Sequence, residues 1–460
     1  MIAPLALFTL ACDGPGDADG DRRGPPGGGP GGGPGGGPGG GGRGVAEVRD
    51  HIDNHDVDPI PPAPAVSDEM FALGQALAFD KELSGNRDIS CLTCHHPSLG
   101  SDDDRALPNG VGGTGLGAER SGGDVIPRNA PALFNLHAFD TMFWDSRVER
   151  LPDGTLRSPA GDQLTPEMLA VFDHGLVSAQ AMFPVTSREE MRGHSGDNEL
   201  ADIPDGDFTA IWAALMSRLG AIPTYVDMFE AAYPGTDFGD MTFAHAANAI
   251  AAFEVSGFES RDSDWERFIA GDDDALNREE IDGARWFFDG GCAECHNGPG
   301  LSDYRHHNTG LAQFGPGKGD GPGGNDDFGR EQVTGDPDDR YAFRTSPLFN
   351  IELTGPYGHA GQFADLRDHI VHYLDPRDNL RDYEIEEHVD DESLWPTILD
   401  NVEQILDTLS PRTRSNLGGG NTPRRVAETE AFLRAMTGDD ARDLDHLVPD
   451  NVPSGLPVAD

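Results

Sequence analysis

Two short stretches bring together residue types that do chemistry as a set: Cys91-Leu-Thr-Cys94-His95 and Cys292-Ala-Glu-Cys295-His296. In a Cys-x-x-Cys-His pentad two thiols bond covalently to one haem, and the adjacent histidine ligates its iron. The chain is therefore expected to carry two covalent c-type haems. The alternative is a split zinc site. Zinc ribbons, however, keep their Cys pairs roughly 15 to 20 residues apart and need no histidine after each second cysteine.

Each pentad needs a helix ahead of it, and the apolar spacing supplies one. Met70, Leu73 and Leu77 recur at i, i+3, i+7, the stripe of an amphipathic helix. Thr242 is placed to cap a helix whose Phe243, Ala246, Ala247 and Ile250 share a face, residues 279–288 lead into the second pentad, and residues 428–436 read as a terminal helix with Phe432 and Met436 on one side. No run of alternating strand pattern stands out. The expected fold is mainly α with long loops, in two cytochrome c-like domains of one haem each, since 460 residues exceed what one core usually serves.

The formal net charge of -48 argues against nucleic acid and anionic lipid as partners and favours a basic redox protein, although a solvating acidic surface accounts for it equally. Of the five cysteines, four belong to the pentads; Cys12 follows a short apolar run in a way that resembles a bacterial lipoprotein signal. Residues 24–44 are almost wholly glycine and proline and cannot bury enough apolar surface to offset ordering. The expected organisation is a lipoprotein signal over 1–12, a disordered tether over 13–60, an N-terminal haem domain over 61–260, a C-terminal haem domain over 261–440, and a fraying acidic tail over 441–460. Membrane association is expected only through a lipid on Cys12. The location would then be periplasmic or at the cell surface.

The stretch Leu83-Ser84-Gly85-Asn86, the first pentad, Arg128-Asn129-Ala130-Pro131, Phe143-Trp144-Asp145, the second pentad with Asn297-Gly298-Pro299, and Leu353-Thr354-Gly355-Pro356-Tyr357-Gly358-His359 follow one another in an order that resembles the bacterial dihaem cytochrome c peroxidases and their MauG-like relatives. Two departures are similar to the MauG-like subgroup. Typical peroxidases cap the first iron with a distal histidine, yet residues 97–128 contain none, and His96, His137 and His174 lie outside the expected place. Typical relatives also ligate the second iron with a methionine, yet none occurs between Cys295 and Met436, and Tyr373 occupies the matching position. Phe363, Leu366, Ile370 and Tyr373 fall on one helical face. His369 and His372 are the rival ligands, and a buried Tyr hydrogen-bonded elsewhere is the plain alternative.

The resemblance implies further roles. Glu190 matches the distal carboxylate that moves a proton between the oxygens of peroxide, Gln180 the accompanying glutamine, and Trp144 the indole between the haems. Asn129, Thr354 and Pro356 match oxygen ligands of a calcium ion, the last two through backbone carbonyls. Without the resemblance, Glu189 and Glu190 would be ordinary surface charges and Trp144 a packing residue. The implied function is oxidation by hydrogen peroxide of a Trp or Tyr side chain on a partner protein. The alternatives are a peroxide-removing peroxidase fed by a small cytochrome or cupredoxin, and a plain electron-transfer cytochrome.

Overall fold

The computed structural model describes residues 41–414 and 422–458; the proposed signal, Cys12 and the first part of the glycine-rich stretch lie outside them. Helix α1 (Gly41–Asn54) is followed by α2 (Asp68–Phe79), which begins where the Ser67 hydroxyl accepts from the Met70 amide at 3.2 Å. Asp68 and Glu69 in its first turn complement the helix dipole. The single turn α3 (Cys91–Cys94) carries the first pentad. Further along are α4 (Leu176–Gln180), α5 (Phe243–Gly257), α6 (Arg278–Asp289), α7 (Leu366–Leu374) and α8 (Pro423–Arg434). The described strands are two or three residues long; the pair β1 (His306–His307) and β2 (Phe343–Arg344) is antiparallel, His306 opposite Arg344.

The same construction supports each pentad. Helix α2 crosses α5 at Gly74, where an added Cβ would come within 1.9 Å of the Ala249 carbonyl oxygen. Helix α6 crosses α8 at Gly283, where a Cβ would come within 1.8 Å of the Glu428 carbonyl oxygen. Only glycine lets backbones approach so closely. Leu73, Leu77, Phe253 and Ile250 fill the first crossing; Ile281, Phe287, Phe288 and Phe432 fill the second. Each is the core on which one pentad rests.

Four sequence expectations change. Residues 41–54, read as part of the tether, form a helix because Val48 and Ile52 bury against the second core, while Arg49 pairs with Asp273 at 2.8 Å. The acidic tail is not frayed: Ala441, Leu444, Leu447 and Val452 pack into the first core. The terminal helix starts five residues earlier than 428, capped by the Thr422 hydroxyl. Phe363 precedes α7 instead of sharing its face, since it pairs with Tyr357 in an isolated bridge. The described residues form one compact unit.

Candidate functional site

At the first pentad, Cys94 is buried and Cys91 half-buried, and both are free thiols. Burial pushes the Cys91 thiol up to about 12, with the Glu254 and Glu190 charges adding to it, and pushes Cys94 up with help from Asp103. Uncharged sulfur belongs there, as a thioether is. The His95 Nδ1 lies 3.3 Å from the Ser101 carbonyl oxygen, to which it donates, leaving Nε2 as the ligating nitrogen. Burial lowers the His95 pKa to about 4, so the ring is neutral at ordinary pH, as a ligand must be.

Glu190 sits in the turn Arg188–Arg192 and is half-buried, whereas Glu189 is exposed. The Glu190 charge reaches both Cys91 and Cys94. Burial raises its pKa, against the pull of Arg147 and Lys318. Gln180 ends α4, half-buried, and its side chain makes no hydrogen bond among the described residues. Two of the three distal histidine candidates are engaged elsewhere: His96 is 2.7 Å from the Ser98 hydroxyl, and His137 Nε2 is 2.8 Å from the Pro61 carbonyl. His174 is half-buried, with its Nδ1 unpartnered.

At the second pentad a cavity of about 450 Å³ is lined by Cys292, Cys295, His296 and Tyr373. His296 Nδ1 lies 2.9 Å from the Leu301 carbonyl, the same tautomer-fixing contact as at His95. Tyr373 stands edge-on to His369, ring centroids 4.9 Å apart, and burial pushes its hydroxyl up to about 12. His369 lines the cavity too, but His372 does not: its Nε2 is tied to the Thr309 carbonyl at 3.0 Å. Two rivals for the iron thus become one. The cavity also runs past Trp144, whose indole N–H donates to the Asn129 carbonyl at 2.9 Å, and past Asn129, Thr354 and Pro356. The Asn129 amide nitrogen donates to the Arg105 carbonyl at 3.0 Å, so its oxygen occupies the other corner of the amide.

A zinc site spanning both pentads does not form. Among the described residues, the metal-ligating side chains that come within common reach are Cys295, Asp303 and His307, with one pentad cysteine between them. The thiols and outward ring nitrogens instead fit one haem per pentad.

Residues 68–274 match the family model described as di-haem cytochrome c peroxidase. The chain is 32% identical to cytochrome c551 peroxidase of Pseudomonas aeruginosa over 66% of its own length and 72% of the relative's. The chain belongs to the di-haem cytochrome c peroxidase family. Methylamine utilization protein MauG of Methylorubrum extorquens, 30% identical over 69% of this chain and 71% of that one, is a relative as well. A solved MauG-like protein associated with microbial copper homeostasis superimposes with a TM-score of 0.58 at 25% identity, covering 84% of this chain and 95% of that one. As a di-haem peroxidase-family oxidoreductase, the protein is an enzyme that takes two c-type haems.

Several polar residues of this peroxidase-family site had escaped the sequence reading. Glu254, on α5, is 5% exposed, its Oε2 has no partner, and burial pushes it up to about 8. An acid among alanines and phenylalanines was the available signal. Arg147 and Lys318 beside Glu190, and Asp102 on the cavity wall, offered none.

Proposed function

We propose that this protein uses hydrogen peroxide to oxidise a Trp or Tyr side chain on a partner protein, in the manner of MauG. The observation that carries the reading is Tyr373 on the wall of the second cavity with Cys292, Cys295 and His296. An anionic oxygen donor favours the higher oxidation states of iron, which suits a protein that must hold oxidising charge until a bulky substrate docks. The haem irons, when bound, supply the electron chemistry: peroxide takes two electrons and two protons, its O–O bond breaks, and two waters form.

The chain's residues do the rest. Glu190 takes the proton from the near oxygen and returns it to the leaving one; a carboxyl raised by burial gives and accepts protons closer to neutral pH. Gln180 orients peroxide through its amide. Trp144 relays oxidising charge between the two sites. Asn129 with the carbonyls of Thr354 and Pro356 would hold a calcium ion; these hard oxygen donors border one cavity and suit that ion. Export with a lipid on Cys12 belongs to the same proposal.

The likeness to cytochrome c551 peroxidase favours a second reading, peroxide removal fed by a small redox protein. One experiment separates them. The ferric protein as isolated is mixed with peroxide, with and without prior one-electron reduction, and then with a reduced small c-type cytochrome. The MauG-like reading expects an optical change with no prior reduction and slow oxidation of the cytochrome. Reactivity that appears only after reduction, with fast saturable cytochrome oxidation, overturns it.

A further inference from the structure

Two buried arginines of this protein hold carboxylates. Arg128 takes Asp327 at 2.7 Å and Asp145 at 2.6 Å, and Arg330 takes Glu149 at 2.7 Å with two carbonyls at 2.9 Å. Arg344, on β2, differs. It is 5% exposed, its Nε donates to the Phe143 carbonyl at 3.2 Å, and its Nη1 has no partner. Among the described residues no carboxylate pairs with it. Its ionisable neighbours are His306, opposite it in the strand pair and held neutral by burial and by the Arg330 and Arg344 charges, and Tyr304, a phenol whose hydroxyl donates to the Ala138 carbonyl at 3.1 Å and is held neutral by burial.

A buried cation without a counter-charge is costly, and a bound anion removes that cost. Burial lowers the Arg344 pKa to about 10, which still leaves it charged at neutral pH. The residue lines the cavity that holds Cys292, Cys295 and His296. The other arginines on that wall, and His307, have contacts of their own. His307 meets Asp303 at 3.2 Å, Arg412 donates to the Glu294 carbonyl, and the Arg425 guanidinium lies 3.8 Å over the Trp286 ring.

We propose that Arg344 is the counter-charge for a propionate carboxylate of the haem attached through Cys292 and Cys295. A guanidinium fork matches a carboxylate in shape and charge, and a haem brings two such groups into a pocket that here offers an uncompensated cation. Arg344 is also tied to the electron path, because its amide donates to the Trp144 carbonyl at 2.8 Å. The propionate bond then holds the Trp144 segment against the second haem, and the positive charge raises that haem's potential.

The inference rests on haem attachment at the second pentad, which a haem stain of the wild-type protein tests separately. Arg344→Gln and Arg344→Lys are compared with the wild type by spectroelectrochemical titration and by the propionate bending bands of the resonance Raman spectrum. The Gln variant should lower the second haem's midpoint by at least about a tenfold change in redox equilibrium, 59 mV for one electron, and shift the propionate bands. The Lys variant should restore the potential, and the first haem should not move. If Gln instead prevents attachment of the second haem, Lys must restore both attachment and potential. An unchanged midpoint in a Gln variant that retains both haems overturns the inference, even if its thermal stability falls. So does a Lys variant that restores nothing.

Discussion

The two pentads rest on matching helix crossings but differ in the titratable groups around them. Around the first are acids: Glu190 and Glu254 act on Cys91, Asp103 acts on Cys94, and burial pushes Glu254 up to about 8 and Asp103 to about 7. Around the second, bases and aromatic rings, His296, His307, His369, Arg344 and Tyr373, share the cavity wall with Asp102, Asp289 and Glu294. Acids near neutral pKa exchange protons, whereas cations and phenols adjust where an electron rests. Under the proposed function the same scaffold serves proton chemistry on one side and electron chemistry on the other.

The largest test of that contrast removes a pentad. Cys91→Ala and Cys292→Ala should each leave one covalent haem per chain instead of two, read by haem-stained denaturing gels. Peroxide reactivity should vanish in the first variant and persist in the second; the reverse would exchange the two roles. Next, Glu190→Gln should keep both haem spectra while slowing the reaction with peroxide by about 10² to 10⁴, the usual worth of a positioned general acid-base group. An unchanged stopped-flow rate moves the proton role to another acid on that side.

Tyr373→Phe sharpens the electron side. It removes the oxygen and keeps the ring beside His369, so peroxide consumption should survive while oxidation of the partner protein is lost. Retention of both would hand the ligand role to His369. The smallest effect belongs to Glu254→Gln. The Glu254 pKa is raised in the fold, so its contribution is fully present below its ordinary value near 4.5 and is lost as pH rises through about 8. The wild type should lose on the order of a few kcal/mol relative to the variant between pH 5 and 9. Parallel thermal-stability profiles of the two proteins across that range would show that Glu254 is solvated.

Where a side chain repeats with helical period, the sequence was readable. The stripes through Leu73 and Leu77 and through Phe243 and Ile250 became α2 and α5, and the pentads stand where their helices deliver them. In α1 the same stripe, Val45, Val48 and Ile52, was hidden by the glycine run it adjoins. Glu189 and Glu190 are chemically identical neighbours; the turn that exposes one and turns the other toward the thiols is a tertiary fact. Arg344 belongs to a two-residue strand, too short for any periodicity, and its meaning lies in partners from distant segments.

Both ends of the described chain cross over. The first helix, α1, fastens to the core of the second pentad, and the last segment, with Leu444 and Leu447, fastens to the core of the first. Mechanically this is a pair of crossed straps. Prising the halves apart would require peeling both ends first, so a protease that clips only one strap should leave the other holding.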